Sequence, residues 1–139
     1  MRTVFYILIS SIFFFSFKPK ENKITAQLAN IEYYSKGICK DTSLIYVRVL
    51  YKVRGEKTGH LKMKHDFQNG IISTMPVTER DKKGNCVYGF CIGRDEVKEF
   101  TTIFIASDGT TSNKLYVKID VPNAEIISGT APETYNCKN

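Results

Sequence analysis

The stretch that decides the fold reads SLIYVRVLYKV, residues 43–53. From position 45 its odd-numbered residues are all apolar or aromatic, whereas positions 46, 48 and 52 carry tyrosine, arginine and lysine. Alternation with a period of two is typical of a β-strand that has one buried face and one wet face. The stretch therefore predicts a strand that turns Tyr46, Arg48 and Lys52 towards solvent.

The same alternation continues on both sides of this strand. It predicts further strands at 31–36, 61–67, 71–77, 99–107 and 114–121, and a hairpin within 86–92. Turn-forming residues separate these segments, and Asn69-Gly70 is a strong hairpin signal. About seven short strands without a helical stretch predict an all-β fold, a single antiparallel sandwich.

The N-terminus carries the pattern of a secretory leader. One arginine precedes an apolar run of 14 residues at 4–17, which is shorter than the roughly 20 residues that span a membrane. We predict cleavage after Ala26, with Ser16 and Ala29 as alternatives; an uncleaved signal anchor is the competing interpretation. The chain then divides into a signal peptide (1–26), a β-sandwich domain (27–122) and a polar C-terminal tail (123–139), and the protein is secreted or periplasmic.

The charge of the chain is only moderately basic once the leader is set aside. The formal net charge is +6, but from residue 27 onward there are 16 basic and 13 acidic residues. Nucleic-acid binding usually depends on a larger, clustered excess of positive charge. We therefore expect no nucleic-acid partner, and membrane contact only through an uncleaved leader.

The four cysteines suit an oxidising compartment, because an even count in a short exported chain is typical of a disulfide framework. Three pairings are open. A two-residue turn at Tyr88-Gly89 would place Cys86 opposite Cys91 and make a cross-strand bridge feasible. We favour Cys86–Cys91, with Cys39–Cys137 as the complementary bond.

The segment FTTIFIASDGTTSNKLYVKIDVP, residues 100–122, resembles the last two strands of fibronectin type III and related bacterial immunoglobulin-like domains. The resemblance implies that Phe100, Phe104 and Ala106 point inward, and it implies a binding or spacing role without catalysis. It transfers no site residue. The chain departs from the family pattern because it has no tryptophan and no tyrosine shortly before Phe100.

No catalytic or metal-binding constellation emerges from the sequence. His60 and His65 are the only histidines, and five positions apart on a strand they face opposite ways. There is no GxSxG elbow and no glycine-rich phosphate loop. We expect no enzyme activity, no cofactor and no metal.

The sequence thus predicts a secreted, disulfide-stabilised immunoglobulin-like binding or structural module for an extracellular protein or polysaccharide. Its working surfaces are expected at loop tips, at Tyr88 and Phe90 and at Asp108 and Asn113. The alternative is a small extracellular enzyme inhibitor that inserts residues 87–90, or a hydrolase.

One surface hypothesis concerns lysines and arginines on neighbouring predicted strands. If the second and third strands paired, Arg48, Lys52, Lys62 and Lys64 would form a cationic plate suited to an acidic polysaccharide or a membrane surface. The competing interpretation is that these side chains only keep the wet side of the sheet soluble.

Overall fold

The computed structural model of the protein describes residues 23–55, 60–77 and 83–132. These residues form eight strands and one turn of 3-10 helix: β1 (Thr25–Lys36), β2 (Ile45–Arg54), β3 (Leu61–Phe67), β4 (Ile72–Pro76), β5 (Asn85–Ile92), β6 (Val97–Ala106), β7 (Leu115–Asp120), η1 (Val121–Asn123) and β8 (Ile126–Thr130). No helix in these ranges is long and apolar enough to cross a membrane.

The strands form two sheets of four. Sheet A has the order β5-β2-β1-β8, and sheet B has the order β4-β3-β6-β7. The predicted all-β sandwich is confirmed, with eight strands in place of about seven. The strands of sheet B all pair antiparallel, whereas sheet A contains one parallel pair, β1 with β8.

The core lies between the sheets, and the alternation in β2 supplies much of it. The odd-numbered side chains of β2, from Ile45 to Val53, are all completely buried. Sheet B contributes the inward residues of β6 and β7, among them Phe100, Phe104 and Ala106, which all point inward as the resemblance implied. Full burial of a large apolar side chain stabilises the fold by about 1.5–3 kcal/mol, so the many side chains between the two sheets make a large contribution to stability.

The turn between β3 and β4 lies where the sequence predicted it. Phe67 donates its N–H to the carbonyl of Ile71 at 2.9 Å, which closes the hairpin. Gly70 has φ +80°, a left-handed conformation that glycine adopts without steric cost. The Asn69-Gly70 signal therefore identified the hairpin.

Strand β5 corrects the cysteine prediction. Residues 85–92 form one continuous strand, so there is no turn at Tyr88-Gly89, and Cys86 and Cys91 lie apart along it. The disulfide joins Cys39 to Cys91. Because a cysteine makes only one disulfide, both favoured pairs, Cys86–Cys91 and Cys39–Cys137, are wrong. Cys137 itself lies outside the described residues.

The segment predicted as a polar tail, 123–139, contains a strand. Residues 126–130 form β8 and pair with the second half of β1, from Tyr33 to Lys36. Ala131 is buried beyond this strand. Residues 126–130 of the predicted tail therefore belong to sheet A.

The predicted domain boundary at residue 26 also needs correction. Strand β1 begins at Thr25, and both Ile24 and Ala26 are buried in the core. Cleavage after Ala26 or Ala29 would cut into β1, whereas cleavage at Ser16 would leave β1 intact. The remainder of the predicted leader, residues 1–22, lies outside the described residues.

Candidate functional site

The outer face of sheet A is closed, that is, buried from solvent, along its central strand β2. Tyr46, Arg48 and Leu50 point away from the core, yet they are only 8%, 4% and 7% exposed. The wet face predicted for β2 is therefore wrong at Tyr46 and Arg48. Lys52, near the end of the strand, keeps part of its surface in contact with solvent.

Arg48 is held by an ion pair on this closed face. Its Nη1 lies 2.9 Å from Oε2 of Glu32, the residue directly opposite on β1. The hydroxyl of Tyr34 donates to the same carboxylate oxygen at 2.9 Å. Burial raises the pKa of this tyrosine, and the Glu32 carboxylate raises it further. The guanidinium is thus engaged within the fold.

The predicted cationic plate does not form. Strands β2 and β3 belong to different sheets, so Arg48 and Lys52 cannot share a face with Lys62 and Lys64. Burial of Arg48 removes a further member of the plate.

Tyr46 lies between two glycines beneath the loop that the disulfide fastens. A Cβ atom at Gly37 or at Gly89 would overlap the Tyr46 side chain. Gly89 is therefore needed in the middle of β5 because the tyrosine ring crosses the strand there. Cys39 packs against the cluster that contains Tyr46, and its bond to Cys91 links the β1–β2 loop to β5.

The two aromatic residues predicted at a loop tip lie instead on the inner face of β5. Tyr88 and Phe90 are half-buried opposite Val49 and Val47 and pack against the core. The amine of Lys98 lies 5.7 Å from the centroid of the Phe90 ring, within cation–π range. The predicted insertion loop at 87–90 is therefore a strand, and the inhibitor hypothesis loses the residues on which it was based.

A buried polar network occupies the core beside Tyr88. The Tyr88 ring stacks on His65 with centroids 4.1 Å apart. Nδ1 of His65 lies 2.9 Å from Oγ1 of Thr102, which also bonds the hydroxyl of Tyr51 at 2.9 Å. Burial lowers the pKa of His65 to about 4 and raises the pKa of Tyr51. The imidazole is therefore neutral at pH 7.

Asp108 and Asn113, the binding residues predicted in the β6–β7 loop, make hydrogen bonds to backbone groups of the fold. Asp108 accepts the N–H of Thr110 at 3.0 Å and shapes the turn. Asn113 accepts the N–H of Ala26 at 2.8 Å and donates to its carbonyl at 3.0 Å. The side-chain amide of Asn113 thus makes the two hydrogen bonds that a backbone residue makes in a sheet. It joins the start of β1 to the loop before β7. Neither residue lies beside Tyr88 and Phe90.

The outer face of sheet B is open. Lys62 and Asp66 of β3, Glu99 of β6, and Tyr116 and Lys118 of β7 are all exposed. Tyr116 is 80% exposed, the largest value among the exposed large hydrophobic side chains of the described chain. This face contrasts with the closed centre of sheet A and is the candidate site.

A groove of about 420 Å³ crosses this face over β3, β6 and β7. Its lining includes Asp66, Gln68, Glu99, Thr101, Lys114, Tyr116 and Lys118. Within it, the Gln68 amide donates to the Glu99 carboxylate at 3.1 Å. Hydroxyl, amide, carboxylate, ammonium and aromatic groups therefore meet on one rigid surface. We name this surface the groove face.

Sequence reasoning did not predict a site at Tyr116, Thr101 or Asp66. Tyr116 could have been noticed, because it is an aromatic residue at a solvent-facing position between Leu115 and Val117. The assembly of Tyr116 with Thr101 and Asp66 depends on the register of three strands. That register is not readable from any one segment.

No known protein family, curated protein or solved structure matches the chain. Residues 23–55, 60–77 and 83–132 contain no group of three or more histidine, cysteine, aspartate or glutamate side chains placed to hold a metal ion. The fold and the site together define an all-β, sandwich-like protein in which one outer sheet face is buried along its central strand and the other is open.

Proposed function

We propose that the protein is an exported immunoglobulin-like module, without a catalytic site of its own, that binds an extracellular partner through the groove face. The open groove around Tyr116 is the observation that carries the proposal. Paired strands present most of its side chains, so little backbone entropy is lost when a partner binds.

Two further features support this proposal. The first seven strands divide three and four between the sheets, which is the kind of arrangement found in immunoglobulin-like sandwiches. The Cys39–Cys91 bond suits an oxidising compartment outside the cytoplasm. The predicted leader provides the route of export.

The groove face can be tested by photo-crosslinking. Tyr116 is replaced by p-benzoylphenylalanine, and the same group at Ile127 serves as the matched control, because Ile127 is exposed on β8 of sheet A. In the extracellular fraction of the producing cells, irradiation is expected to give adducts from position 116 and none from position 127. Equal adducts from both positions, or adducts from 127 alone, would show that the groove face is not the binding surface.

The export proposal makes a separate prediction about the mature N-terminus. Because Ile24 and Ala26 are core residues, we expect the exported protein to retain both, with cleavage before Ile24. Intact-mass spectrometry of the secreted protein measures this directly. A mass beginning at Gln27 or Asn30 would contradict it, and a full-length mass would indicate an uncleaved anchor.

A further inference from the structure

The groove face carries three parallel rows of outward side chains. Pairing of β3 with β6 and of β6 with β7 sets these rows, and the middle row crosses all three strands. The middle row is Asp66, Thr101 and Tyr116. The rows on either side hold Lys64 with Ile103, and Glu99 with Lys118. Neighbouring strands lie about 4.8 Å apart, so a row across three strands spans roughly 10 Å.

Tyr116 offers an uncovered aromatic surface at one end of the middle row. It is 80% exposed, and Lys114, just before β7, and Lys118 line the groove with it. An aromatic ring held by a strand loses little freedom on binding because tyrosine has only two side-chain torsions. Such a ring suits a ligand with a flat, weakly polar surface.

Both hydrogen-bond donors and hydrogen-bond acceptors surround this ring. Asp66 and Glu99 provide acceptors, the lysines provide donors, and the Thr101 hydroxyl can do either. The Gln68–Glu99 bond of 3.1 Å sets the orientation of two planar groups before any ligand arrives. A ligand rich in hydroxyl groups, each both donor and acceptor, can pair with all of them.

The charges on the groove face select against a strongly charged ligand. The carboxylates of Asp66 and Glu99 lie among the ammonium groups of Lys64, Lys114 and Lys118. A sulfated or uronic chain would meet the carboxylates, and a polycationic chain would meet the lysines. An uncharged ligand avoids both repulsions.

The composition of the groove face also argues against a large protein interface. The centres of protein interfaces are depleted in charged residues. Here the centre of the face holds Asp66 beside Thr101, and charged rows lie on both sides.

We propose that the groove face binds an uncharged polysaccharide, with one sugar ring stacked on Tyr116 and its hydroxyl groups bonded to Asp66, Thr101 and Glu99. The inference rests on the proposed function, because it names the ligand class for the same surface. It is distinct from the cationic plate predicted for an acidic polysaccharide, because the fold places Arg48 and Lys52 on a different sheet from Lys62 and Lys64.

Affinity electrophoresis and pull-down on a panel of neutral polysaccharides test the proposal: cellulose, chitin, xylan, mannan and starch, with heparin as the charged comparison. The wild-type chain is expected to be retained by at least one neutral member. Tyr116→Ala should weaken that retention roughly tenfold or more, as removal of an aromatic anchor does in other interfaces. Tyr116→Phe keeps the ring and should retain binding within about twofold.

Ile127→Ala is the matched control, since it truncates an exposed apolar side chain on the other sheet. Retention on heparin alone, equal retention of wild type and Tyr116→Ala, or no retention by any neutral member would each overturn the proposal. If position 116 still crosslinks to a protein in that last case, only the polysaccharide assignment fails and the groove face remains the binding surface.

Discussion

Loss of the Cys39–Cys91 disulfide is expected to lower the free energy of unfolding by about 4 kcal/mol. The bond links residues 52 positions apart, and in the chain-entropy description the stabilisation grows with the length of the loop that the bond closes. The double variant Cys39→Ala/Cys91→Ala removes the bond together with both of the thiols that form it. Urea denaturation followed by circular dichroism measures the change.

The fold offers a control within the same loop. Ile38 is 70% exposed next to Cys39, so Ile38→Ala should change the unfolding free energy by less than about 0.5 kcal/mol. A double variant as stable as the wild type would contradict the expectation, because the bond would then restrain nothing in the unfolded chain. If only the Ile38 variant lost stability, apolar contacts of the loop and not the disulfide would hold it.

The disulfide also helps to cover Tyr46 at one end of the closed face of sheet A. Cys39 packs on the cluster formed by Tyr34, Tyr46 and Ala131. These residues come from β1, β2 and the segment after β8, so the bond fastens the β1–β2 loop where three parts of sheet A meet.

Local alternation in the sequence predicted most strands of the fold, because burial on one face imposes a period of two. It was sufficient for β2, β3 and β7. It failed at β5, where Gly89 resembled a turn residue. In the structure, position 89 is a glycine because the Tyr46 ring passes over the strand there. This is a contact between segments that are distant in the sequence.

The same limit explains the errors in the tail and the cysteines. Strand β8 has only five residues, including Ser128 and Gly129, and its stability comes from pairing with β1. The choice of Cys91 as the partner of Cys39 depends on the neighbouring positions of β2 and β5 in sheet A. Neither the pairing of β8 with β1 nor the choice of Cys91 can be predicted from the residues of one segment alone.

The candidate site was the least predictable part of the molecule. Sequence reasoning places binding residues on loops, but here the loop residues Asp108 and Asn113 bond to backbone groups of the domain. The groove face arises from strand faces brought into register. Exposure of Tyr116 on such a face is a property of the folded sheet.

Acid is expected to destabilise the fold through His65. The imidazole is completely buried, and burial lowers its pKa to about 4, whereas an unfolded chain restores the ordinary value of 6.5. Between pH 6.5 and 4 the unfolded state therefore binds more protons, so stability falls as the pH falls. The contribution is fully present above pH 6.5 and reaches a loss of about 3 kcal/mol near pH 4.

The surroundings of His65 explain why the folded protein disfavours a protonated imidazole. Tyr88 stacks on one side of the ring, and Phe100 meets it edge-on with centroids 5.4 Å apart. Nε2 is buried and has no hydrogen-bond partner among the described residues. A charged imidazole would carry a second N–H donor into this apolar environment, and an unsatisfied buried charge is strongly destabilising.

Urea denaturation of the wild type and His65→Gln between pH 4 and 7 tests this account. The wild type should lose more stability over this range than the variant, by about 3 kcal/mol. His60→Gln is the matched control, because His60 is exposed, and its profile should follow the wild type. Parallel profiles for wild type and His65→Gln would contradict the account.

If His65→Gln does not fold, NMR titration of His65 in the wild type is the second test. A titration midpoint below pH 5 supports the account. A midpoint near 6.5 refutes it, because the imidazole would then accept its proton as readily in the core as in water.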